Sequence, residues 1–303
     1  MRTATILVFL ILHHPVLSAQ NFLEINNDTL HFKVDLTRGG SIAYLSESGS
    51  ERNLINVYDE GRYVQQSYYA GKKLNRQTEG QHPQWSPWAW NPIQVGDAYN
   101  NRAKVLEGKK EGNTIYVKCV PMLWDMNNVP AEAVMEQWTT LEGNVLKVNN
   151  KLTCRRTDSL YEDKETNHQE LPAVYPVSAL DKLYSYFGDK PFTGAPLDNP
   201  KVEHLEAGFW GRYMDNKVTE SWMAFVDDNQ FGIAVYNPVC NNFLAGISGE
   251  PGGETNSSST SYIAPVKSIK LKKNTVYEYN YYLLIGDLNE MRSVIYRLNK
   301  QLN

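Results

Sequence analysis

Two carboxylic acids and one histidine stand out as side chains that could move protons on a bound substrate. Glu170 lies in the apolar run ELPAV, where burial would raise its pKa and suit a general acid. His168 lies two positions earlier, so in a strand both side chains would project from the same face. Asp97, between Gly96 and Ala98, could lie at a strand end facing a cleft. Two carboxylates are what glycosidic hydrolysis generally requires, one as acid and one as base or nucleophile.

Each of these three residues also has an ordinary structural interpretation. Either carboxylate could cap backbone amides or pair with Arg62, and His168 could be a histidine bonded to backbone. A neutral imidazole beside a carboxylate is, in contrast, a plausible pair for proton transfer. Both interpretations stay open at this level.

The stretch Gln81–Asn101 holds three of the seven tryptophans, Trp85, Trp88 and Trp90, and is broken by three prolines. Neither a helix nor a strand is expected there. One interpretation is a plug of the core under a long loop. The other is a stiff aromatic platform, which loses little entropy on binding and suits the C–H face of a sugar ring.

Planar polar groups that could hold sugar hydroxyls or a substrate carboxylate lie in this stretch and in two others, 59–71 and 165–176. They are Arg62, Gln65, Tyr68, Asn91 and Tyr175. A different reaction would use nearly the same residues. In β-elimination on a uronic-acid polysaccharide, His168, Tyr68 or Tyr175 would take the proton, while Arg62 and Gln65 neutralised the carboxylate.

The elements that must position these groups are mostly strands. Alternating or apolar runs bounded by turn residues cover 30–36, 114–124, 133–141, 143–154, 221–238 and 267–286. The C-terminal run DLNEMRSVIYRLNKQL predicts a helix with Asp287 as its N-cap, and 176–188 could form a second, short helix. The segment 248–261, rich in Ser and Gly, is expected to be a flexible loop. No repeat or long linker divides the chain, so we expect an antiparallel sandwich or barrel in one domain, residues 20–303.

The first nineteen residues are typical of a signal peptide, with Arg2, the apolar run 4–12 and small residues before a cleavage point. The expected location is therefore the periplasm or the outside of the cell. No later segment is apolar enough to span a membrane. The net charge of −4 and the scarcity of basic runs exclude a nucleic-acid footprint. Three cysteines and scattered histidines match no metal-binding spacing, so neither metal nor cofactor is expected, with calcium the alternative.

Several of these stretches resemble the galactose mutarotase-like superfamily, which includes the aldose 1-epimerases. RGGSIAYL (38–45) resembles its early strand, and EGRYVQQSYYAG (60–71) resembles a segment that reads roughly Gly-Arg-Tyr-Ala-Asn-Arg-Ile. TNHQELPAVY (166–175) resembles the segment that carries the epimerase catalytic histidine, which falls on His168, and 269–286 is similar to the closing strands. The resemblance implies an all-β, antiparallel supersandwich.

The chain departs from that family at two functional positions. Gln65 and Gln66 stand where the epimerases place Asn-Arg, and Thr275 and Val276 stand where a glutamate-bearing turn is expected. Since the same fold occurs in polysaccharide lyases and as a domain of glycosidases, the resemblance implies a polysaccharide-processing protein more than a simple mutarotase.

The function expected from the sequence is therefore binding of an oligo- or polysaccharide and hydrolysis of a glycosidic bond. Glu170, Asp97 and His168 would carry the chemistry, and the tryptophans with the planar polar groups would hold the sugar. The alternatives are a lyase, a carbohydrate-binding protein without catalysis, and a sugar epimerase. The sequence leaves open the sugar, the linkage, the stereochemical outcome and the oligomeric state.

Overall fold

The computed structural model describes residues 21–202, 204–205 and 211–302. These residues form mainly strands and one α-helix. The strands are β1 Phe22–Asn26, β2 Leu30–Asp35, β3 Ser41–Glu47, β4 Val64–Ser67, β5 Ala70–Leu74, β6 Trp88–Trp90, β7 Pro92–Ile93, β8 Lys104–Glu111, β9 Thr114–Val120, β10 Met122–Leu123, β11 Ala133–Glu142, β12 Val145–Cys154, β13 Asn167–Val174, β14 Lys182–Ser185, β15 His204–Leu205, β16 Gly211–Tyr213, β17 Trp222–Val226, β18 Phe231–Tyr236, β19 Asn242–Ser248, β20 Thr260–Ile269 and β21 Val276–Asp287. The helix is α1, Leu288–Leu302.

Two large sheets account for most of these strands. The first runs in the order β1-β2-β3-β4-β13-β20-β19-β15, with β7, β10 and β16 attached at its sides. The second runs β14-β17-β18-β21-β12-β11-β9-β8, and β5 and β6 form a separate ribbon. Neighbouring strands are antiparallel except β15 and β19. The expected all-β, antiparallel architecture with a C-terminal helix is confirmed.

The main core fills the space between the two sheets. Phe32, Ile42 and Leu45 of the first sheet belong to the same buried cluster as Val117 and Val148 of the second. The alternation of apolar and polar residues in these strands places every second side chain in that layer. The opposite face of the first sheet is therefore left for other contacts.

The helix α1 packs on the outer face of the second sheet. Leu288, Met291 and Ile295 are buried there against Trp222 and Tyr282. Asp287 Oδ1 accepts hydrogen bonds from the N–H groups of residues 289 and 290, so the predicted N-cap is confirmed.

The remaining points about secondary structure, cysteines and chain organisation have different outcomes. The helix expected at 176–188 is wrong, because this run supplies strand β14, which pairs with β17. All three cysteines are buried and unpaired. The expected signal peptide lies outside the described residues and stays a prediction. No helix among the described residues is long and apolar enough to cross a membrane.

A buried ion pair attaches α1 to the sandwich. The Arg292 guanidinium donates to both oxygens of the fully buried Glu220 carboxylate, at 2.8 and 3.1 Å. Trp222 and Tyr296 donate to the same carboxylate. Burial acts to raise the pKa of Glu220, but these hydrogen bonds outweigh it and lower the pKa below its usual value.

We expect Glu220→Gln to lower the free energy of unfolding by about 3–5 kcal/mol, because Arg292 would stay buried without its counter-ion. The wild-type protein should also lose stability as the pH falls through the lowered pKa of Glu220, and the variant should not show that loss. Urea denaturation at several pH values measures both effects.

Glu162→Gln is the matched control, since Glu162 pairs with Lys72 at 3.2 Å on the surface and should contribute only about 0–1 kcal/mol. Equal losses in the two variants would contradict the role given to the Glu220–Arg292 pair.

Candidate functional site

A cavity of about 660 Å³ lies on the face of the first sheet that points away from the core. Its floor comes from β4 and β13, which are hydrogen-bonded neighbours, with Ser67 opposite Glu170. Its walls come from the turn 59–62, from the stretch 81–101, which we call the tryptophan loop, and from Trp124. The volume falls in the range of about 300–1,000 Å³ that is typical of sites for small ligands.

Glu170 is the carboxylic acid on this floor. Tyr262 Oη donates a hydrogen bond of 2.6 Å to Glu170 Oε1. Burial in the floor raises the pKa of Glu170, and the neighbouring hydroxyl groups of Tyr262, Ser67 and Tyr69 only partly oppose that rise. Glu170 therefore keeps its proton to a higher pH than an ordinary glutamic acid does, as the run ELPAV predicts.

Two tyrosine hydroxyl groups line the cavity beside Glu170. The pKa values of Tyr69 and Tyr175 are raised far above the usual value, first by burial and then by the negative charge of the Glu170 carboxylate. Both phenols therefore keep their protons over the whole physiological pH range. They are suited to donate hydrogen bonds and poorly suited to act as bases.

Arg62 lies at the cavity wall against the ring of Tyr175, with its guanidinium carbon 5.5 Å from the ring centroid. Its Nη2 donates to the carbonyl oxygen of Ser258 at 3.3 Å, and its buried Nε has no hydrogen-bond partner among the described residues. The carbonyl group comes from the segment 248–261 that the sequence predicts to be flexible.

That segment is held by hydrogen bonds to the chain just before β4. Asn56 Nδ2 donates to the carbonyl oxygens of Ser257 and Ser259 at 2.8 and 2.9 Å, and Val57 N–H donates to the Thr255 carbonyl at 2.8 Å. The segment is therefore a fixed part of the wall that supports Arg62.

Three indole rings form another part of the wall. Trp85 lies edge-to-face with Trp88 at 5.2 Å and with Trp124 at 5.6 Å between ring centroids. All three are partly exposed and line the cavity. This loop also contains a 3-10 turn, Pro83–Trp85, and β6, which pairs with β5, so the expectation of no regular structure is wrong.

Three predicted site residues line the cavity, but other protein groups already occupy their polar atoms. Gln65 bonds the carbonyl groups of Glu60 and Arg62 and the N–H of Val95. Asn91 donates to the Tyr68 carbonyl at 2.7 Å and accepts from Trp88 Nε1 at 3.0 Å.

Asp97 is fully buried and is the third of these residues. Its two oxygens accept from three backbone N–H groups, those of residues 99, 101 and 128, and from the Asn101 amide. Asp97 therefore has the structural role given as its alternative in the sequence analysis, in which the carboxylate caps backbone amides.

Three other predicted site residues lie outside the cavity. Tyr68 is buried on the core face, where its hydroxyl group donates to Gln66 at 2.8 Å. Trp90 is also in the core, where its Nε1 donates a hydrogen bond of 3.1 Å to Glu132. This position agrees with the interpretation of the tryptophans as a plug of the core. His168 is exposed and bonds Ser268 at 3.0 Å.

Sequence reasoning missed other residues that line the cavity. They are Asp59, Ser67, Tyr69, His82 and Trp124. Tyr69 follows Tyr68 directly, and alternation along the strand would have paired Tyr69 with Gln65 and Ser67. Trp124 closes the run 114–124, and no local signal connects it to the tryptophan loop.

No group of three or more His, Cys, Asp or Glu side chains in the described part of the chain is arranged to hold a metal ion. The expectation that the protein uses neither metal nor cofactor stays a prediction.

Comparison with known proteins shows the fold. The chain is similar to a galactose mutarotase-like protein from Lactobacillus casei ATCC 334, with 10% identity and a TM-score of 0.50 over 87% of this chain and 99% of that one. It is also similar to a galactose mutarotase related enzyme from Lactobacillus acidophilus, with 10% identity and a TM-score of 0.46 over 87% and 97%. A TPR-domain containing protein from Parabacteroides distasonis ATCC 8503 matches at 11% identity and a TM-score of 0.49, over 88% of this chain and 47% of that one.

No family model matches the chain, and no curated protein does. The predicted galactose mutarotase-like supersandwich is nevertheless confirmed as a fold by the structural similarity, which extends over most of the chain.

The raised pKa of Glu170 has a consequence for stability that can be measured. Because the native state binds this proton more tightly than the unfolded chain does, the wild-type protein should lose stability as the pH rises from the unfolded pKa towards the native one. Glu170→Gln cannot ionise and still offers an oxygen to Tyr262. We expect its melting temperature to exceed that of wild type at pH ~7 and the difference to shrink near pH ~4, close to the unfolded pKa. Thermal denaturation at both pH values tests this, and a difference independent of pH would contradict it.

Proposed function

We propose that this protein binds a saccharide in the cavity and hydrolyses a glycosidic bond, with Glu170 as the general acid that protonates the leaving oxygen. The observation that carries the proposal is the position of Glu170. Its carboxyl group, with a raised pKa, lies on the polar floor of a cavity whose wall includes indole rings. A carboxylic acid with a raised pKa is suited to protonate a leaving group.

The indole wall supports sugar binding. Trp85 packs edge-to-face on both Trp88 and Trp124, so each ring is held by at least one neighbour. A sugar ring placed on them would cover apolar surface without first ordering a mobile loop. The Tyr69 and Tyr175 hydroxyl groups would then donate hydrogen bonds to the polar side of the same sugar.

The second carboxylate of the reaction is better assigned to Asp59 than to Asp97. Asp97 has both oxygens engaged by N–H donors. Asp59 Oδ1 accepts from the Gly61 N–H at 2.9 Å, and its Oδ2 has no hydrogen bond to the described residues. Asp59 would activate the attacking water. His168 is given no part in this proposal, because it lies outside the cavity.

The same contacts favour hydrolysis over β-elimination. Elimination would need an unprotonated tyrosine or a histidine at the cavity floor. The pKa values of Tyr69 and Tyr175 are raised, which opposes deprotonation. The predicted histidine base, His168, does not line the cavity, and His82, which does, belongs to the tryptophan loop in the wall and not to the strands of the floor. Glu170 is thus the favoured group for proton transfer.

We expect Glu170→Gln to lower the turnover of a cleaved oligosaccharide by about 10²–10⁴-fold, because the amide cannot donate the proton, while affinity stays near that of wild type. The wild-type rate should fall as the pH rises through the raised pKa of Glu170, since only the protonated form is active. Reducing-end assays on a panel of oligosaccharides, paired with calorimetric binding, measure both.

Other outcomes would replace this proposal. Absorbance of an unsaturated sugar in the product would identify a lyase. Binding of an oligosaccharide without turnover would identify a binding protein, and faster mutarotation of fresh aldoses in a polarimeter would identify an epimerase. Undiminished turnover by Glu170→Gln would exclude Glu170 as the acid.

Trp88→Ala should weaken oligosaccharide binding by about tenfold or more, which corresponds to about 1.4 kcal/mol or more, because the ring lies in the cavity wall. Trp138→Ala is the matched control. Trp138 is also partly exposed, but it packs on Tyr116 in the second sheet, away from the cavity. Titration calorimetry of both variants tests the stacking wall, and equal effects would contradict it.

A further inference from the structure

We propose that the cavity selects saccharides that carry a carboxylate group, and that Arg62 is the residue that recognises this group. The inference rests on the proposed function in that it takes the cavity to be a saccharide site. It adds a substrate class, the acidic oligosaccharides that contain uronic acids.

Arg62 differs from the other buried or half-buried arginines in its partners. Most of those arginines form an ion pair with a carboxylate: Arg38, Arg52, Arg76, Arg156 and Arg292. Arg62 forms no such pair with the described residues and contacts only the Tyr175 ring and the Ser258 carbonyl. Its Nε is buried, and its Nη1 forms no hydrogen bond to the described residues and is not buried. A guanidinium group in this state has donors left for a ligand, and its fork matches a carboxylate in two parallel hydrogen bonds.

The acidic residues around Arg62 do not cancel its charge by direct contact. Glu60 is buried and already lies between two other arginines, Arg38 at 3.4 Å and Arg102 at 3.5 Å. Asp97 is held by backbone N–H groups, and the pKa of Glu170 is raised.

Asp59 is the carboxylate that competes with a ligand for Arg62. It belongs to the same turn, and its Oδ1 is engaged by the Gly61 N–H. Arg62 and Asp59 therefore share the cavity as an unpaired cation and anion. A substrate carboxylate has to bind Arg62 in the presence of Asp59, which should make affinity dependent on both.

The wall fixes Arg62 in place before any ligand binds. The Tyr175 ring covers one face of the guanidinium group, and the hydrogen-bonded segment around Ser258 holds one end of it. An arginine that is already ordered loses less side-chain entropy on binding an anion than one that is free on the surface. The arrangement is thus built for recognition, and not only for attraction at long range.

A matched pair of ligands tests this inference. Uronic-acid oligosaccharides of several linkages would be titrated calorimetrically against the same oligosaccharides after chemical reduction of their carboxylates to alcohols. We expect the wild-type protein to bind at least one acidic form ~10-fold or more tightly than its reduced form, a difference of about 1.4 kcal/mol or more. Arg62→Gln should remove this preference, so that the acidic and reduced forms bind the variant with similar affinity.

Two further variants sharpen the test. Asp59→Asn should strengthen binding of the acidic form, because the competing anion is gone. Lys73→Gln is the control for a nearby cation, since Lys73 lies over the Trp88 ring and Lys73 itself does not line the cavity. The Lys73→Gln variant should still bind the acidic form more tightly than the reduced form.

The outcomes separate this inference from the proposed function. If acidic and reduced forms bind equally well, the acidic class is wrong while the saccharide site stands. If Arg62→Gln keeps the preference, the role of Arg62 is wrong while the acidic class and the saccharide site stand. If neither form binds, and no neutral oligosaccharide does, then both proposals are wrong. A preference that Lys73→Gln removes as fully as Arg62→Gln would show general charge attraction and would also overturn the role of Arg62.

Discussion

The division of side chains between the two faces of β4, β13 and β20 is the constraint on which the cavity and the core both depend. A register shift interrupts the alternation in β13, so that Leu171 and Val174 both enter the layer between the sheets, while Glu170 and Tyr175, the residue after the strand, face the cavity. Tyr262 of β20 supports Glu170 on that same face, next to the buried Ile263 on the other. Since one strand serves both faces, the packing of the core fixes the height and direction of the groups above it.

The polar residues of the cavity divide into those that build it and those that face a ligand. The side chains of Gln65, Asn91 and Asp97 form hydrogen bonds with backbone groups of the surrounding loops. An unmade hydrogen bond in the interior is costly, so these loops stay in place only because such partners exist. Because the surrounding loops are already held by these hydrogen bonds, Arg62 and Glu170 still have polar atoms that can bond a ligand.

The tryptophan loop combines both roles in one stretch of chain. Trp90 enters the core and anchors the loop, whereas Trp85 and Trp88 remain at the cavity wall. The strand β6 explains the division, since Ala89 and Trp90 are buried and Trp88 is not. The two interpretations that the sequence leaves open, a core plug and a binding platform, thus apply to different residues of the same loop.

Most predictions made from local pattern agree with the structure. The exceptions are the helix expected at 176–188 and the absence of regular structure expected in the tryptophan loop. Predictions that needed a distant partner do not agree. The strand runs, the helix capped by Asp287 and the antiparallel sandwich follow from periodicity and turn residues. The sequence predicts Tyr68 as a cavity residue, but the tyrosine in the cavity is its neighbour Tyr69. An error of one position in a strand moves a side chain to the other face of the sheet. His168 shares a strand with Glu170, but it lies at the exposed end of that strand.

The sequence by itself determined the elements, the fold class and the three stretches from which the cavity is built. Those properties depend on residues within a few positions of one another. Only the tertiary structure decided which side chains in those stretches remain available to a ligand. Availability is a matter of partners: Glu170 meets a tyrosine 92 residues later, and Arg62 meets a carbonyl group 196 residues later. No local pattern records such contacts, because they exist only once the sheet has brought the strands together.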